Sequence, residues 1–272
     1  MSDAEALLGK LQDAIRPLDR VAVAFSGGVD SSTLLAAAAS ALPGRVTAVI
    51  AESAAHPVSD REAASTVLEW LDVPHWKINV DPLALAQVRA NAHDRCYHCK
   101  HALFSRMLEL TRLENLGVLC DATNADDLEL HRPGRKALKE LGVKSPLAEQ
   151  GLTKDDVRAV ARLLELPVAE RPSAACLITR IPYDQTVTAE RLQRIDRGES
   201  LLRGLGFGQL RLRDHGTVAR VEVPVADLGR ALEQREAIAR GLRAEGWQHV
   251  SLDLEGFRSG SYDTISNSGA ST

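Results

Sequence analysis

The 272-residue chain has little of what usually assigns a protein at once. No apolar run approaches the length of a bilayer span, and the opening stretch, MSDAEALLGKLQDAI, is acidic and amphipathic without a secretory hydrophobic core. A cytoplasmic protein with no membrane association is therefore expected. Charge of one sign is not in excess: 33 Lys+Arg stand against 37 Asp+Glu, a formal net charge of −4, which gives no general support for a nucleic-acid partner. Cysteine is scarce, four residues at irregular spacing. In a reducing compartment that is poor evidence for disulfides and raises the weight of metal or reactive-thiol roles. No internal repeat is present, and neither is the Gly-Lys-Ser/Thr ending of a Walker loop.

What remains is an ordinary globular composition, 44% hydrophobic and 26% charged, with alternating elements. Leu7, Leu8, Leu11 and Ile15 share one helical face, closed by Pro17. Short apolar runs at 21–25, 45–52, 75–80 and 117–123 read as strands, and 31–42 and 59–71 as helices between them. Strands alternating with helices predict an α/β fold, a parallel sheet with helices on both faces. A further helix is expected from Thr153, with Asp156 as its capping-box partner and Asp155 favourable to the helix dipole. Beyond about residue 172 the texture changes to a smaller α+β domain: strands in 209–216 and 218–223, one helix over 226–244 and a strand in 248–256. The expected division is 1–172, 173–258 and a mobile polar tail over 259–272.

The most informative stretch is AFSGGVDSS, Ala24–Ser32, between a buried strand and a helix. Gly27 and Gly28 let the backbone turn tightly and approach a ligand. The helix starting near Val29 and Asp30 aims its free N–H groups and dipole at the loop. Ser26, Ser31 and Ser32 add hydroxyls, so the site suits phosphate oxygens. This segment resembles the pyrophosphatase loop of the N-type ATP pyrophosphatases, the PP-loop (adenine nucleotide alpha hydrolase-like) proteins. The resemblance implies that ATP binds there, that an oxygen of the substrate attacks the α-phosphorus, and that Asp30 helps to hold Mg²⁺. A second polar cluster begins at a predicted strand end, where open α/β sheets place their crevices. Its Thr123, Asn124, Asp126 and Asp127 could orient nucleotide or metal, or form a solvated Asx-rich turn.

Two segments carry thiols in polar or small-residue settings. RCYHCK, residues 95–100, places Cys96 and Cys99 three apart, and PSAACLITRIP, residues 172–182, places Cys176 four residues before Arg180. Spacing alone leaves open a redox pair, a zinc site completed by His98 or His101, or a three-thiolate iron–sulfur site. A guanidinium near Cys176 could lower its pKa and neutralise an α-phosphate. Cys120, at a predicted strand end, is read as core.

SGGVDSS, RCYHCK, ATNADDLELHRPGR, SPLAEQGLTK, PSAACLITRIPY, LRLRDHG and LDLEGFRSGS, in this order, together resemble the LarE family over residues 20–262. That family makes sulfur-bearing intermediates of the nickel-pincer nucleotide cofactor used by lactate racemase and related enzymes. The resemblance implies an ATP-dependent sulfurtransferase acting on pyridinium-3,5-biscarboxylic acid mononucleotide, with Cys176 delivering the sulfur. In sacrificial members a single cysteine forms an adduct, loses its sulfur and becomes dehydroalanine. Three-cysteine members are cluster-dependent, and this chain's pattern implies a 4Fe–4S cluster on Cys96, Cys99 and Cys176.

Arg211 and Arg213 alternate on a predicted strand and so share a face. The resemblance makes them ligands of the substrate phosphate rather than edge-strand decoration. It further implies ATP contacts at Thr179 and Arg180, a metal near Glu199 and Glu222, and a homo-oligomer; Lys100, just after the cysteine pair, could contact ATP phosphates or be ordinary surface. A sulfur donor and a downstream nickel-insertion protein are the implied partners. Competing expectations are a transfer-RNA thiolase, an amide-forming synthetase that would not need Cys176, and a nucleotide-binding metal sensor without catalysis.

Overall fold

The computed structural model describes residues 2–129, 133–172 and 175–258; the tail expected to be mobile lies outside them. The chain forms two compact units, one from residues 1–85 and 94–174, the other from 86–93 and 175–272.

The first unit is built on a sheet of β1 (Val21–Phe25), β2 (Val46–Glu52), β3 (His75–Asn79) and β4 (Val118–Cys120), all parallel, in the order β3-β2-β1-β4. Parallel neighbours need crossovers, and helices supply them. Helix α1 (Asp3–Ile15) precedes β1; α2 (Val29–Ala41), α3 (Val58–Leu71) and α4 (Arg95–Leu113) are the crossovers; α5 (Pro133–Glu140) and α6 (Lys154–Leu163) follow β4. The two-residue period of β1 divides the core. Val21, Val23 and Phe25 join Leu11 and Ile15 of α1, Leu34 of α2 and Val157 of α6. Ala22, on the other face, joins Phe104 and Met107 of α4 and Leu138 of α5. Both faces are therefore covered, as the alternation of elements predicts. Helix α6 opens on a complete capping box: Thr153 accepts from the Asp156 amide, and the Asp156 carboxylate accepts from the Thr153 amide at 2.9 Å.

The chain moves outward from β1 to β2 and β3, then returns to lay β4 on the opposite side of β1. The order thus reverses between β1 and β4, and in open parallel sheets the crevice beyond the strand ends at such a reversal is where ligands bind. The loops after β1 and β4 are the two polar segments singled out above.

In the second unit β5 (Arg211–His215) pairs antiparallel with β6 (Val218–Glu222), and β7 (His249–Leu252) adds parallel to β6. Helix α7 (Ala189–Gly204) approaches β5 closely at Gly198, where a Cβ would lie 2.3 Å from Leu212 Cδ2. The single helix expected over 226–244 is instead α8 (Leu228–Glu233) and α9 (Arg235–Ala244). Gln234, at φ −92° and ψ 11°, ends one and begins the other. One non-helical residue hardly disturbs an apolar pattern, so periodicity alone does not show such a break. Residues 86–93 belong to this unit through Asn91, which is buried in a left-handed conformation (φ 56°) and donates to the carbonyls of Ile181 (3.0 Å) and Pro182 (2.7 Å).

Candidate active site

Three residues, Ser26–Gly28, join the end of β1 to the start of α2. Gly27 has φ +76°, and a Cβ there would lie 2.6–2.8 Å from the Ala64 amide and the Asp60 carbonyl. Only glycine lets the loop rest on α3. Gly28 is the N-cap of α2, so the free amides of the first turn open onto the loop. Ser31 Oγ donates to the Gly28 carbonyl at 3.1 Å and lies 3.2 Å from Ser26 Oγ. Ser32, expected as a further donor, is fully buried, and its Oγ has no partner among the described residues. It packs behind the loop because it lies on the inward face of the helix.

The loop forms one side of a cleft of about 280 Å³ within the first unit. Asp30, Asp121, Thr123 and Asp127 line its polar side, while Ile50, Leu103, Phe104 and Met107 give it an apolar wall suited to a base. Lys100 also faces it. The carboxylate of Asp30 receives the Lys154 ammonium on one oxygen and Asn124 Nδ2, at 3.3 Å, on the other. Asn124 is fixed in turn, its Oδ1 accepting from the Asp127 amide at 3.1 Å. The segments after β1 and β4 thus meet at Asp30, as a strand-order reversal requires. Asp126 turns away: its carboxylate accepts from the Lys154 amide at 2.9 Å, so it caps α6 instead of lining the cleft. The Lys154 ammonium already sits against Asp30, and three further carboxylates, Asp60, Asp121 and Asp127, line the same cleft; one or two carboxylates together with phosphate oxygens are the usual donor set of Mg²⁺. His56 also lines the cleft, and burial, outweighing the charge of Asp60, pushes its pKa down, favouring the neutral imidazole.

Cys96 and Cys99 occupy the first turn of α4, one exposed and one half-buried, both free thiols. The Cys99 thiol is pushed up, chiefly by burial and then by the charge of Cys96, with Lys100 and Arg95 pulling the other way. His98, one of the possible fourth zinc ligands, is instead paired to Asp94 at 3.0 Å. Cys120 is fully buried and its pKa is raised to about 12, first by burial and then by Asp121, which makes it an inert core thiol.

Cys176 is half-exposed in the second unit and caps a short 3-10 turn, Leu177–Arg180. Arg180, expected to act on the thiol or on an α-phosphate, is engaged by groups of its own unit. Arg180 is 3% exposed and grips Glu199 with two nitrogens, at 2.8 and 3.2 Å. It also donates to the carbonyls of Ala175 (2.8 Å) and Cys176 (3.4 Å). These bonds tie the guanidinium to the backbone on which Cys176 stands. Thr179, expected at the nucleotide, likewise donates its hydroxyl to the Cys176 carbonyl at 2.8 Å.

Glu199 is fully buried and also receives Arg203 at 2.9 Å and the Leu212 amide at 3.2 Å. Glu222, 1% exposed, receives Arg213 at 2.9 Å and Arg220 at 3.0 Å on the same oxygen. These carboxylates are therefore not an open metal pair; arginines neutralise them. Among the described residues no three His, Cys, Asp or Glu side chains gather as a metal site. Arg213 is buried with its charge committed to Glu222 and to the Thr179 carbonyl at 2.7 Å. Arg211 is more open. It stacks on Phe257 at 4.8 Å, and burial, reinforced by the charges of Arg213 and Arg180, lowers its pKa to about 10. An anion beside it would relieve that excess of positive charge.

A phosphate-sized glycine loop, placed where a parallel sheet reverses its order and facing a base-sized apolar wall, defines an ATP-using enzyme of the PP-loop class. Residues 6–108, the part carrying that loop, match the asparagine synthase family model. The chain is 35% identical over 249 residues to the pyridinium-3,5-bisthiocarboxylic acid mononucleotide synthase of Lactiplantibacillus plantarum, covering 91% of this chain and 90% of that protein. It is 34% identical over 263 residues to an uncharacterized protein of Synechocystis, covering 96% and 98%. An uncharacterized protein of Methanocaldococcus jannaschii is 28% identical over 240 residues. The chain belongs to the LarE family and is an ATP-using sulfurtransferase. No helix among the described residues is long and apolar enough to cross a membrane.

Proposed function

We propose that this enzyme adenylates a carboxylate of pyridinium-3,5-biscarboxylic acid mononucleotide and converts it to a thiocarboxylate. The observation that carries this reading is the meeting of the glycine loop, Asp30, Asp121 and Thr123 in one cleft, with Asn124 and Lys154 bonded to Asp30, in a chain whose Lactiplantibacillus relative is named for the bisthiocarboxylic product. A carboxylate is a poor electrophile, because its charge repels nucleophiles and oxide is a poor leaving group. Attack of its oxygen on the α-phosphorus releases pyrophosphate and leaves a mixed anhydride whose leaving group is AMP. A thiolate then adds to the acyl carbon and AMP departs. Bound at Asp30 with Asp121 or Asp127, Mg²⁺ would supply charge to offset the pyrophosphate. The loop amides and Ser26 would hold the β- and γ-phosphates, and Lys154 would hold Asp30 in place beside them. Lys100 faces this cleft as a further phosphate contact. The phosphate of the substrate would bind beside Arg211, the more open of the two arginines on β5.

Asp30→Asn tests the first half-reaction. It removes the charge that Lys154 and a metal share while keeping an oxygen for Asn124, so pyrophosphate release driven by the carboxylated mononucleotide should fall roughly 100-fold or more. Release unchanged by the substitution, or independent of that mononucleotide, would sink the reading.

The sulfur comes through Cys176, with Cys96 and Cys99 completing a 4Fe–4S site. What supports this is the pair of free thiols on neighbouring positions of one helix, which offers two ligands for such a centre; the cluster would supply sulfide without consuming a residue. Anaerobically purified protein is expected to carry iron and acid-labile sulfide that Cys96→Ala loses. Absence of both from the parent after reconstitution would leave Cys176 as a sacrificial donor, its Cβ–S bond broken by elimination.

A further inference from the structure

Arg171 reaches the glycine loop from outside the cleft. Its Nη2 donates to Asp60 Oδ1 at 2.7 Å and its Nη1 to the Gly27 carbonyl at 3.4 Å. Both side chains of this pair are largely buried, 22% and 16% exposed. The backbone beneath Arg171 is anchored as well: Arg158 donates to the carbonyls of Ala169 (2.6 Å) and Arg171 (2.9 Å). The guanidinium is therefore held at both ends.

A trans peptide unit points its C=O and the following N–H in opposite directions. Drawing the Gly27 carbonyl toward Arg171 thus turns the Gly28 N–H the other way. Ser26 and Gly28 line the cleft, whereas Gly27 does not, and the Gly28 N–H donates to Ser26 Oγ at 3.4 Å. Neither glycine carries a Cβ that would resist rotation of this plane. A flipped plane would aim a carbonyl oxygen, with its partial negative charge, at the position meant for phosphate.

We propose that Arg171 is a positioning residue of the ATP site, locking the Gly27–Gly28 peptide with its N–H facing the pyrophosphate portion of ATP. This rests on the loop being the pyrophosphate site. The role is specific to the β- and γ-phosphates, since AMP does not reach the loop. It also explains why a buried ion pair stands behind a loop made of glycines: glycine gives the close approach but leaves the plane undetermined, and the guanidinium determines it.

The test is binding of ATP, inorganic pyrophosphate and AMP, each with Mg²⁺, to the full chain and to Arg171→Met and Arg171→Lys. In Arg171→Met, affinity for ATP and pyrophosphate should fall about 10–100-fold, the effect of losing one charge-assisted contact, while AMP binding stays within about twofold. Lys can reach one acceptor but not both, so its loss should be intermediate. Equal loss of all three ligands in both variants would show general collapse of the cleft and overturn the inference, as would unchanged pyrophosphate binding in Arg171→Met. A parent that binds AMP but neither ATP nor pyrophosphate would instead overturn the loop assignment, and the inference with it.

Discussion

Cys176→Ala is expected to abolish thiocarboxylate formation, a loss on the order of 10³-fold or more, while pyrophosphate release in a single turnover stays near the parent rate. In the reaction proposed above, the two halves use different residues. Activation needs the cleft of the first unit, with Asp30, Asn124 and Lys154 around the glycine loop. Sulfur delivery needs a thiol, and Cys120 cannot substitute, because it is fully buried with a pKa near 12. Quantifying AMP, pyrophosphate and thiocarboxylate in parallel separates the two. An enzyme that joins ammonia to the same adenylate, as the asparagine synthase match would allow for the first half of the chain, would be indifferent to this substitution. Full turnover by Cys176→Ala would therefore remove sulfur chemistry from the account.

The second large effect is on stability. Glu199 is fully buried and accepts hydrogen bonds from Arg180, Arg203 and the Leu212 amide. Glu199→Ala strands these donors and leaves the Arg180 charge without its counter-ion in a site only 3% exposed. Removing one partner of a buried pair typically costs about 3–5 kcal/mol, so the urea midpoint of the second unit should drop sharply. Glu199→Gln keeps an acceptor on one oxygen and should lose less. Because Arg180 also holds the Ala175 and Cys176 carbonyls, sulfur transfer should fall in both variants even where the protein remains folded. A Glu199→Ala protein of parental stability would contradict the network as described.

Much of this was legible in the residues. Buried parallel strands read as short apolar runs, and the glycine pair between strand and helix marks a phosphate site, because few other sequences can make that turn. The Thr153–Asp156 capping box announces α6 for a similarly local reason. Distant pairings were not legible. Lys154 looks like any first-turn lysine until the fold brings it across 124 positions to Asp30. Arg171 looks like a polar residue before a proline until it meets Gly27. Asp121 ends a strand, and only the fold shows it lining the cleft and accepting from Thr123 and Ser145. Arg180 teaches the converse: proximity in sequence to Cys176 suggested an effect on the thiol, but a carboxylate nineteen residues away captures the guanidinium. Charge type is written in the sequence, whereas the partner that consumes a charge is set by packing. The same holds for Arg213, whose alternation with Arg211 is real but whose charge is already answered by Glu222.

The most direct measurement is the mass of the pyridinium mononucleotide after incubation with the purified enzyme, ATP and Mg²⁺. The account predicts replacement of a carboxylate oxygen by sulfur, with AMP and pyrophosphate formed in step with the sulfur transferred and no reaction without ATP. A product carrying nitrogen in place of sulfur, or an unchanged nucleotide beside consumed ATP, would contradict it.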